Sequence, residues 1–488
     1  MNGQNHFPHT ARAYRSNSSV QSPILSRDGN DWVVQFFQYR TVDFLYDLRK
    51  CSDDRRYSEN NFAQKLRSRW NDAKQRHAIN YDLNCMYKLL DGEYNFSMQL
   101  NVERGTLRRK PMRFQSIVQP FNSHRWNFTK LKTEEVLYYV RCQDKPITED
   151  PLDTHSICVN ASPLESAHCL LVPSLSKCLP QIMNESGIRI ATDFMLLVED
   201  ENFHVLYNSL LGQASVNHLH LHTIFWPYES DLIYRKFEPL SDGCFIIRRP
   251  DWFISTFAYQ LKDSQEFDLF VKNVWRTLNF LTRRNIAHNV FFTRAPPIRS
   301  EGPLRDENTR DLPLFVTVYI FPRQCHTGAK PATNFNPAAL ELSGCLASYT
   351  YQFFETASEP NILRIFEEDA VVDDDEFERL ADELNERLAG RIQWAAPVHI
   401  PTPQEQRRMH YLHVESADST GEYELTELEE MTDKFHAVQF PVPLRHHHSF
   451  NLGNQSQNPA GRRRTHTTEG TVSFSKPDAT ESNKLDEE

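Results

Sequence analysis

The sequence predicts an α+β fold built on an antiparallel sheet with flanking helices. Three observations carry that expectation. Short β-branched and aromatic runs follow one another over residues 155–227, too closely for βαβ crossovers. Longer stretches with apolar residues three or four apart lie at 251–287 and 367–388. Within the strand-like block, His218, His220 and His222 alternate with Leu219 and Leu221, the two-residue period of a strand with one face in a core.

Taken in order, residues 1–30 are rich in Ser, Asn, Arg and His without periodicity, and are expected to be a disordered arm. Order is expected from Asp31-Trp32-Val33-Val34-Gln35-Phe36-Phe37. Residues 60–92 read as helical, with Phe62, Leu66 and Trp70 four apart. Between Phe96 and Phe128, short pieces broken by Pro111 and Pro120 read as strands and loops. The block that follows offers five strands, at 155–160, 168–173, 194–198, 203–208 and 216–225. Residues 251–287 read mainly as helix, with Phe253, Phe257 and Leu261, then Phe267, Phe270, Val271, Val274 and Leu278, on apolar faces. Residues 289–292 and 314–320 form a further strand pair across a Pro-, Arg- and Glu-rich loop. An acidic amphipathic helix is expected over 367–388, with Phe377, Leu380, Leu384 and Leu388 inward and a solvated acidic side. Residues 401–488 are expected to be a largely disordered tail, where His446-His447-His448 and Arg462-Arg463-Arg464 are incidental.

The chain has 488 residues, 39% of them hydrophobic and 32 of them Phe, which is enough for a substantial core. A net charge of -11 speaks against a dedicated nucleic-acid or membrane-surface protein, yet allows a local basic pocket for a small anion. Residues 1–27 lack the apolar core of a signal peptide, and no apolar run approaches the ~20 residues that span a bilayer. Nine scattered cysteines without a Cys-x-x-Cys pair read as reduced thiols. The expectation is a cytoplasmic protein that binds neither nucleic acid nor membrane, with its oligomeric state left open.

On a strand the three histidines project from one side, about 6.6 Å apart along the chain. Only one imidazole can then stand in line with a given phosphorus atom, and its neighbours flank it. Three readings remain open from these residues alone. The histidines can be satisfied core residues. They can bind zinc, for which His-x-His is an ordinary spacing, although no nearby Cys or carboxylate pair completes a site. Or they can carry out covalent nucleotidyl transfer, with a neutral imidazole as nucleophile. The absence of a P-loop or Walker-type Lys-Ser/Thr motif excludes an ordinary kinase or ATPase.

His218-Leu219-His220-Leu221-His222-Thr223-Ile224 resembles the signature of the histidine triad superfamily, with Thr223 its one imperfect position. Asn160-Ala161-Ser162-Pro163, followed by His168-Cys169-Leu170-Leu171-Val172-Pro173, looks like that superfamily's first strand pair. Tyr207-Asn208-Ser209-Leu210 leading to Ala214-Ser215-Val216-Asn217-His218 is similar to the GDP-hexose phosphorylase branch. So is Lys110-Pro111-Met112-Arg113-Phe114 leading to Val118-Gln119-Pro120-Phe121, with Phe128-Thr129-Lys130 after it. The resemblance covers approximately residues 90–390.

This resemblance implies a HIT-like sheet, with a catalytic half at 31–284 and a second half without the triad at 285–400. It implies phosphorolysis of GDP-D-glucose by inorganic phosphate, giving GDP and glucose 1-phosphate through a GMP-histidine intermediate on His220. His218 and His222 would assist, His168 would be the additional active-site histidine, and a backbone carbonyl near the triad would fix the His220 tautomer. Asn208, Gln213, Ser215 and Asn217 fall where relatives approach ribose and phosphate. Arg113, Lys130 and Arg323 are candidate phosphate ligands. No metal or organic cofactor is implied for the chemistry, while structural zinc stays open. In plant relatives and the uridylyltransferases the third triad position is typically Gln, so His222 keeps GDP-hexose hydrolysis open. GDP-L-galactose remains an alternative substrate. From another class, a non-catalytic guanine-nucleotide-binding interaction protein on the same scaffold remains possible.

Overall fold

The computed structural model describes residues 32–56, 61–108, 112–144, 154–301, 311–326, 334–403 and Glu405. The expected N-terminal arm, nearly all of the tail and Lys110-Pro111 of the upstream motif lie outside these residues.

Fourteen strands are described: β1 (Gln35–Tyr39), β2 (Met86–Leu89), β3 (Ser97–Leu100), β4 (Val136–Cys142), β5 (His155–Val159), β6 (Cys169–Val172), β7 (Phe203–Asn208), β8 (Leu221–Phe225), β9 (Glu238–Pro239), β10 (Cys244–Ile247), β11 (Thr256–Leu261), β12 (Ala287–Ala295), β13 (Phe315–Arg323) and β14 (Cys345–Ser348). The helices are α1 (Asp53–Arg56), α2 (Phe62–Gln75), α3 (Val102–Leu107), α4 (Glu185–Leu197), α5 (Phe267–Arg283), α6 (Ala339–Leu342), α7 (Tyr351–Thr356), α8 (Glu359–Asp369) and α9 (Asp374–Leu388). The large sheet runs β1-β4-β5-β6-β8-β7-β12-β13-β11-β10-β9, antiparallel throughout except for the parallel β1–β4 edge. A small sheet, β14-β3-β2, lies apart from it in the hydrogen-bond pattern. The α+β class with an antiparallel sheet and flanking helices is therefore what forms.

The sheet contains a topological repeat. Strands β4, β5, β6, helix α4, then β7 and β8 assemble in the order 4-5-6-8-7. Strands β9, β10, β11, helix α5, then β12 and β13 assemble as 9-10-11-13-12. The two sets join where β7 pairs with β12, Asn208 opposite Asn289. In this correspondence β13 stands where β8 does, and it carries no histidine.

Alternation along the strands sorts side chains between two cores. Leu171, Leu219, Leu221, Val205 and Tyr207 enter the core shared with α2, α4, α5 and α9. Leu206, Ile224, Phe291 and Tyr319 enter the opposite core beneath α6 and α8.

Three local expectations are corrected. Residues 194–198 form no strand; Phe194 to Leu197 are the last turn of α4, whose start Asn184 caps by accepting from Gly187 N at 2.7 Å. That helix is buried almost all round, so its apolar run hides the 3.6-residue period. Residues 256–261 are strand β11 rather than helix. Phe257 and Leu261 are four apart, a spacing that fits a helix and a strand alike, and Tyr259 between them shares their core. The helix expected over 60–92 ends at Gln75, and residues 86–89 are β2. The acidic helix comes as α8 and α9, with Phe377, Leu380, Leu384 and Leu388 buried as expected.

Arg294 ties the sheet to the segments packed against its α4-covered face. Buried in β12, it donates to the carbonyls of Tyr46 at 3.2 Å, Leu314 at 3.3 Å, Leu45 at 2.7 Å and Met195 at 2.6 Å. Replacing it removes donors from four carbonyls, of which Leu314 O keeps the Leu48 N–H. Arg294→Met is expected to lower unfolding free energy by about 3–5 kcal/mol in urea titration. By contrast, Arg49→Ala, which breaks the exposed 3.0 Å pair with Glu201, should cost less than about 1 kcal/mol.

Candidate active site

The triad is only partly on a strand. β8 begins at Leu221, so His218 and His220 precede it, and the expected strand over 216–225 is shortened to its second half. Facing is nevertheless preserved, because Leu219 and Leu221 still enter the core and Leu219 N donates to Leu179 O at 2.8 Å. His222 lies opposite Leu170 on β6 and Leu206 on β7, and all three line one cleft.

Because β8 starts only at Leu221, the His218 carbonyl is left out of the ladder. His220 Nδ1 lies 2.7 Å from His218 O and 2.9 Å from Gln181 Oε1. Both neighbours accept, so Nδ1 carries the proton and the Nε2 lone pair is free. Gln181 is itself fixed at every polar group. Its N–H donates to Asn217 Oδ1 at 2.8 Å and its carbonyl accepts from Tyr207 Oη at 3.0 Å. Its Oε1 also accepts the His220 N–H at 2.9 Å, and its Nε2 donates to Asn208 O at 2.9 Å and His220 O at 3.0 Å.

A second histidine pair flanks this one. Leu164 N donates to His168 Nδ1 at 2.9 Å, which places the His168 proton on Nε2. That nitrogen is 3.0 Å from His222 Nδ1, so His222 accepts there and carries its own proton on Nε2. The Asn160 amide nitrogen also lies 3.1 Å from His168 Nε2. His222 is thus a neutral N–H donor beside the free Nε2 of His220, their ring centroids 5.4 Å apart. His218 is different. It is wholly buried between Phe121 and Phe128, with Nδ1 accepting from Phe128 N at 3.2 Å. Its side chain braces Phe128, and its backbone carbonyl acts on His220.

The cleft has a volume of about 390 Å³. Phe114, Trp126, Phe128, Leu131 and Val216 give it an apolar side, while Arg104, Arg108, Asn80 and Asn336 give it a polar side. Of the residues anticipated from sequence, His168, His220, His222, Asn208, Gln213 and Ser215 line it. Asn208 Oδ1 is occupied by Asn289 Nδ2 at 2.6 Å and Ala339 N at 3.0 Å, leaving its amide hydrogens for a ligand. Gln213 sits at a left-handed φ of 80° in the turn entering the triad.

The remaining candidates are not brought into the cleft lining. Asn217 holds Gln181 and, through Nδ2, the carbonyls of Gln119 at 3.0 Å and Pro120 at 2.8 Å. Arg113 is exposed, and Lys130 is exposed with Nζ donating to His124 O at 3.1 Å and Arg125 O at 2.8 Å. Arg323 is buried and spends its donors on Gln324 O at 3.2 Å, Asn289 Oδ1 at 3.3 Å, Asp369 O at 2.7 Å and Pro337 O. Sequence reasoning missed Gln181, Arg104, Arg108 and Glu341. Nothing local marks Gln181 beyond its place after Pro180, because its partners come from residues 207–220. Glu341 lines the cleft, where burial pushes its carboxyl up to about 7, and it caps α6 by accepting from Ala338 N at 3.2 Å. Among the described residues, no three His, Cys, Asp or Glu side chains gather as a metal site.

Burial dominates the electrostatics of the histidines. It pulls His220 down to about 4, against the opposing effect of the His218 carbonyl. Burial, then the neighbouring His220, takes His218 to about 3. His168 and His222 are also held well below the usual imidazole range, by burial first and then by nearby charge that includes Arg104. The imidazoles are therefore neutral at physiological pH, as a nucleophile requires.

Comparison with known proteins finds the same region. Family models described as GDPGP1-like, N-terminal domain and GDPGP1-like, C-terminal domain match residues 61–224 and 231–390. GDP-D-glucose phosphorylase 1 of Caenorhabditis elegans is 49% identical over 395 residues, covering 78% of this chain and 82% of that protein. GDP-D-glucose phosphorylase 1 of Danio rerio is 32% identical over 332 residues, covering 68% and 92%. Among solved structures, yeast Ap4A phosphorylase Apa2 in complex with AMP aligns with a TM-score of 0.43 at 14% identity, covering 63% of this chain and 95% of that one.

Neutral burial has a consequence for stability. Burial pulls His204 to about 3 and His288 to about 4, as it does the triad. Such groups gain their proton only on unfolding, so the unfolded chain binds more protons below pH 6.5. Stability is therefore expected to be full above about pH 6.5 and to fall as pH drops towards 4. Each histidine contributes a slope of up to about 1.4 kcal/mol per pH unit. Urea midpoints between pH 7 and 5 measure this, and His204→Leu, outside the cleft, should flatten the slope by that amount.

Proposed function

The chain belongs to the GDPGP1-like family, and from that premise we propose that it is a GDP-D-glucose phosphorylase, turning GDP-D-glucose and inorganic phosphate into GDP and glucose 1-phosphate. The observation that carries the chemistry is His220, with its proton held on Nδ1 and its Nε2 lone pair free in the cleft. In the first step Nε2 forms a bond to the α-phosphorus, and the bond to the bridging oxygen breaks. Its electron pair leaves with glucose 1-phosphate. In the second step a phosphate oxygen bonds to the same phosphorus, the P–N pair returns to Nε2, and GDP departs.

The surrounding residues have distinct parts. His218 O and Gln181 stabilise the positive charge that the ring acquires while phosphorylated. The His222 N–H, oriented through His168 and Leu164 N, is aimed at charge developing on phosphate oxygens. Ser215, Gln213 and the Asn208 amide are further donors lining the same space. A hydrolytic reading has one specific support, since a neutral His222 held by His168 can orient water as well as phosphate. GDP-L-galactose is a second hexose to test.

The reading extends to organisation. The topological repeat supports a triad-bearing half and a second half without a triad, divided between β8 and β9 rather than at 284/285, because β9 to β11 correspond to β4 to β6. No described helix is long and apolar enough to cross a membrane, and none of the nine cysteines is paired. A cytoplasmic site of action, without a metal or organic cofactor, fits this chemistry.

Two measurements test the mechanism. With GDP-D-glucose and phosphate the expected products are GDP and glucose 1-phosphate, and a labelled GMP adduct should be trapped on His220. His220→Ala should lose at least about 10⁴-fold in kcat and form no adduct. GMP as the only nucleotide product with phosphate present would establish a hydrolase instead. Gln181→Leu is expected to lower kcat by up to about 100-fold with little change in KM, because the nucleophile is misoriented while the binding surface is kept.

A further inference from the structure

Double displacement at one phosphorus imposes a constraint on the cleft. His220 Nε2 attacks opposite the leaving oxygen, and the P–N bond is later broken by an oxygen arriving from that same opposite side. The departing hexose 1-phosphate and the arriving phosphate must therefore use one place in turn. That place has to hold a phosphate dianion next to His222 and away from the surface that takes the nucleoside. This inference rests on the phosphorolysis reading above.

Arg104 and Arg108 are the only Arg or Lys residues among the described residues that line the cleft. Arg104 is in α3 and Arg108 is the residue after it, and both are in the polar part of the lining. Arg104 is held rather than loose. Its Nη1 donates to Ser162 O, two residues after Asn160, and its guanidinium also meets the hydroxyls of Tyr81 and Tyr349. Its Nε is buried and has no acceptor among the described residues. The Arg104 charge reaches both His168 and His222, which places it beside the relay that faces the reacting phosphorus. Arg108 lies over the Tyr349 ring at 5.2 Å, with Nη2 3.1 Å from the Asn336 carboxamide. One tyrosine thus packs against both arginines and spaces them.

We infer that Arg104 and Arg108 form a single anion subsite, which holds hexose 1-phosphate as it leaves and inorganic phosphate as it enters. Two guanidiniums match the charge of a phosphate dianion, and their forked donors suit its oxygens. The aromatic side of the cleft, with Phe114, Trp126 and Phe128, is left for the purine. Glu341 caps α6 and lies within the field of Arg104, so its carboxyl offsets part of that charge when ionised.

Calorimetric titration of the full chain with inorganic phosphate and with glucose 1-phosphate reads the subsite without turnover. Both ligands are expected to bind and to compete with each other. In Arg108→Gln both dissociation constants should rise together by about 10- to 100-fold, while that for GMP stays within about threefold. In turnover, KM for phosphate and, in the reverse direction, KM for glucose 1-phosphate should rise by the same factor. Arg104→Lys, which keeps the charge and removes the fork, should shift both constants in the same direction by less. An unchanged phosphate constant in Arg108→Gln overturns the subsite, as does binding of the two ligands without competition. Loss of GMP binding in parallel with phosphate binding overturns it as well, by marking a general structural role. If the wild type binds both anions competitively yet forms no GMP adduct from GDP-D-glucose, the anion site stands and the phosphorolysis reading fails.

Discussion

The position of one proton governs the cleft. Unless the His220 hydrogen stays on Nδ1, Nε2 has no lone pair to offer, and the flanking donors have no reaction to assist. Two acceptors converge on that hydrogen, the His218 carbonyl and Gln181 Oε1. Each needs a departure from regular structure. The carbonyl is available because the chain joins the β6–β8 ladder only at Leu221. Gln181 is available because the irregular segment before α4 folds back beneath the triad, pinned by Asn217 and Tyr207. Burial then keeps the ring neutral, at a cost limited because its Nδ1–H is met by two acceptors.

The second set of strands supports this site although its own triad position is empty of histidine. Arg323, on the strand that corresponds to β8, binds Asn289 Oδ1, and Asn289 Nδ2 in turn holds Asn208 Oδ1 and Gly212 O. Asn208 is thereby turned so that its amide end faces the cleft. Arg323 therefore acts on the ligand surface through two intervening asparagines. A guanidinium chosen from sequence as a phosphate ligand proves to be a structural clamp for the turn that carries Gln213. Its burial lowers its pKa to about 10, still well above physiological pH, so the clamp remains charged.

The proposed nucleophile was legible in the sequence because the triad is local: three histidines at alternate positions need no tertiary information to be noticed. His168 was legible through the resemblance, standing just before β6 and after the Asn-Ala-Ser-Pro run. The cations were not. Arg113 and Lys130 lie near recognisable motifs in sequence and face solvent in space, whereas Arg104 and Arg108 reach the cleft from a short helix with no motif of its own. The duplication was hidden for a different reason. Corresponding strands of the two halves share direction and order but not residues, so it is visible only as 4-5-6-8-7 beside 9-10-11-13-12. The misread elements fail for different reasons: a four-residue apolar spacing, as in Phe257 and Leu261, satisfies both periods, whereas burial almost all round hides the period of α4.

Phosphorolysis requires more than a good nucleophile, because water competes for the same covalent intermediate. The His168–His222 pair does not choose between them, since a neutral imidazole N–H will donate to any oxygen on the phosphorus. Choice has to come from what occupies the far side of the P–N bond when it breaks. A positioned phosphate there gains the large advantage of an intramolecular-like encounter, and it excludes the water it replaces. Glutamine or histidine at the third triad position then adjusts proton handling around the phosphorus without setting the acceptor. On this argument His222 alone does not make the site hydrolytic. The balance between the two reactions follows from how firmly the polar side of the cleft retains an anion.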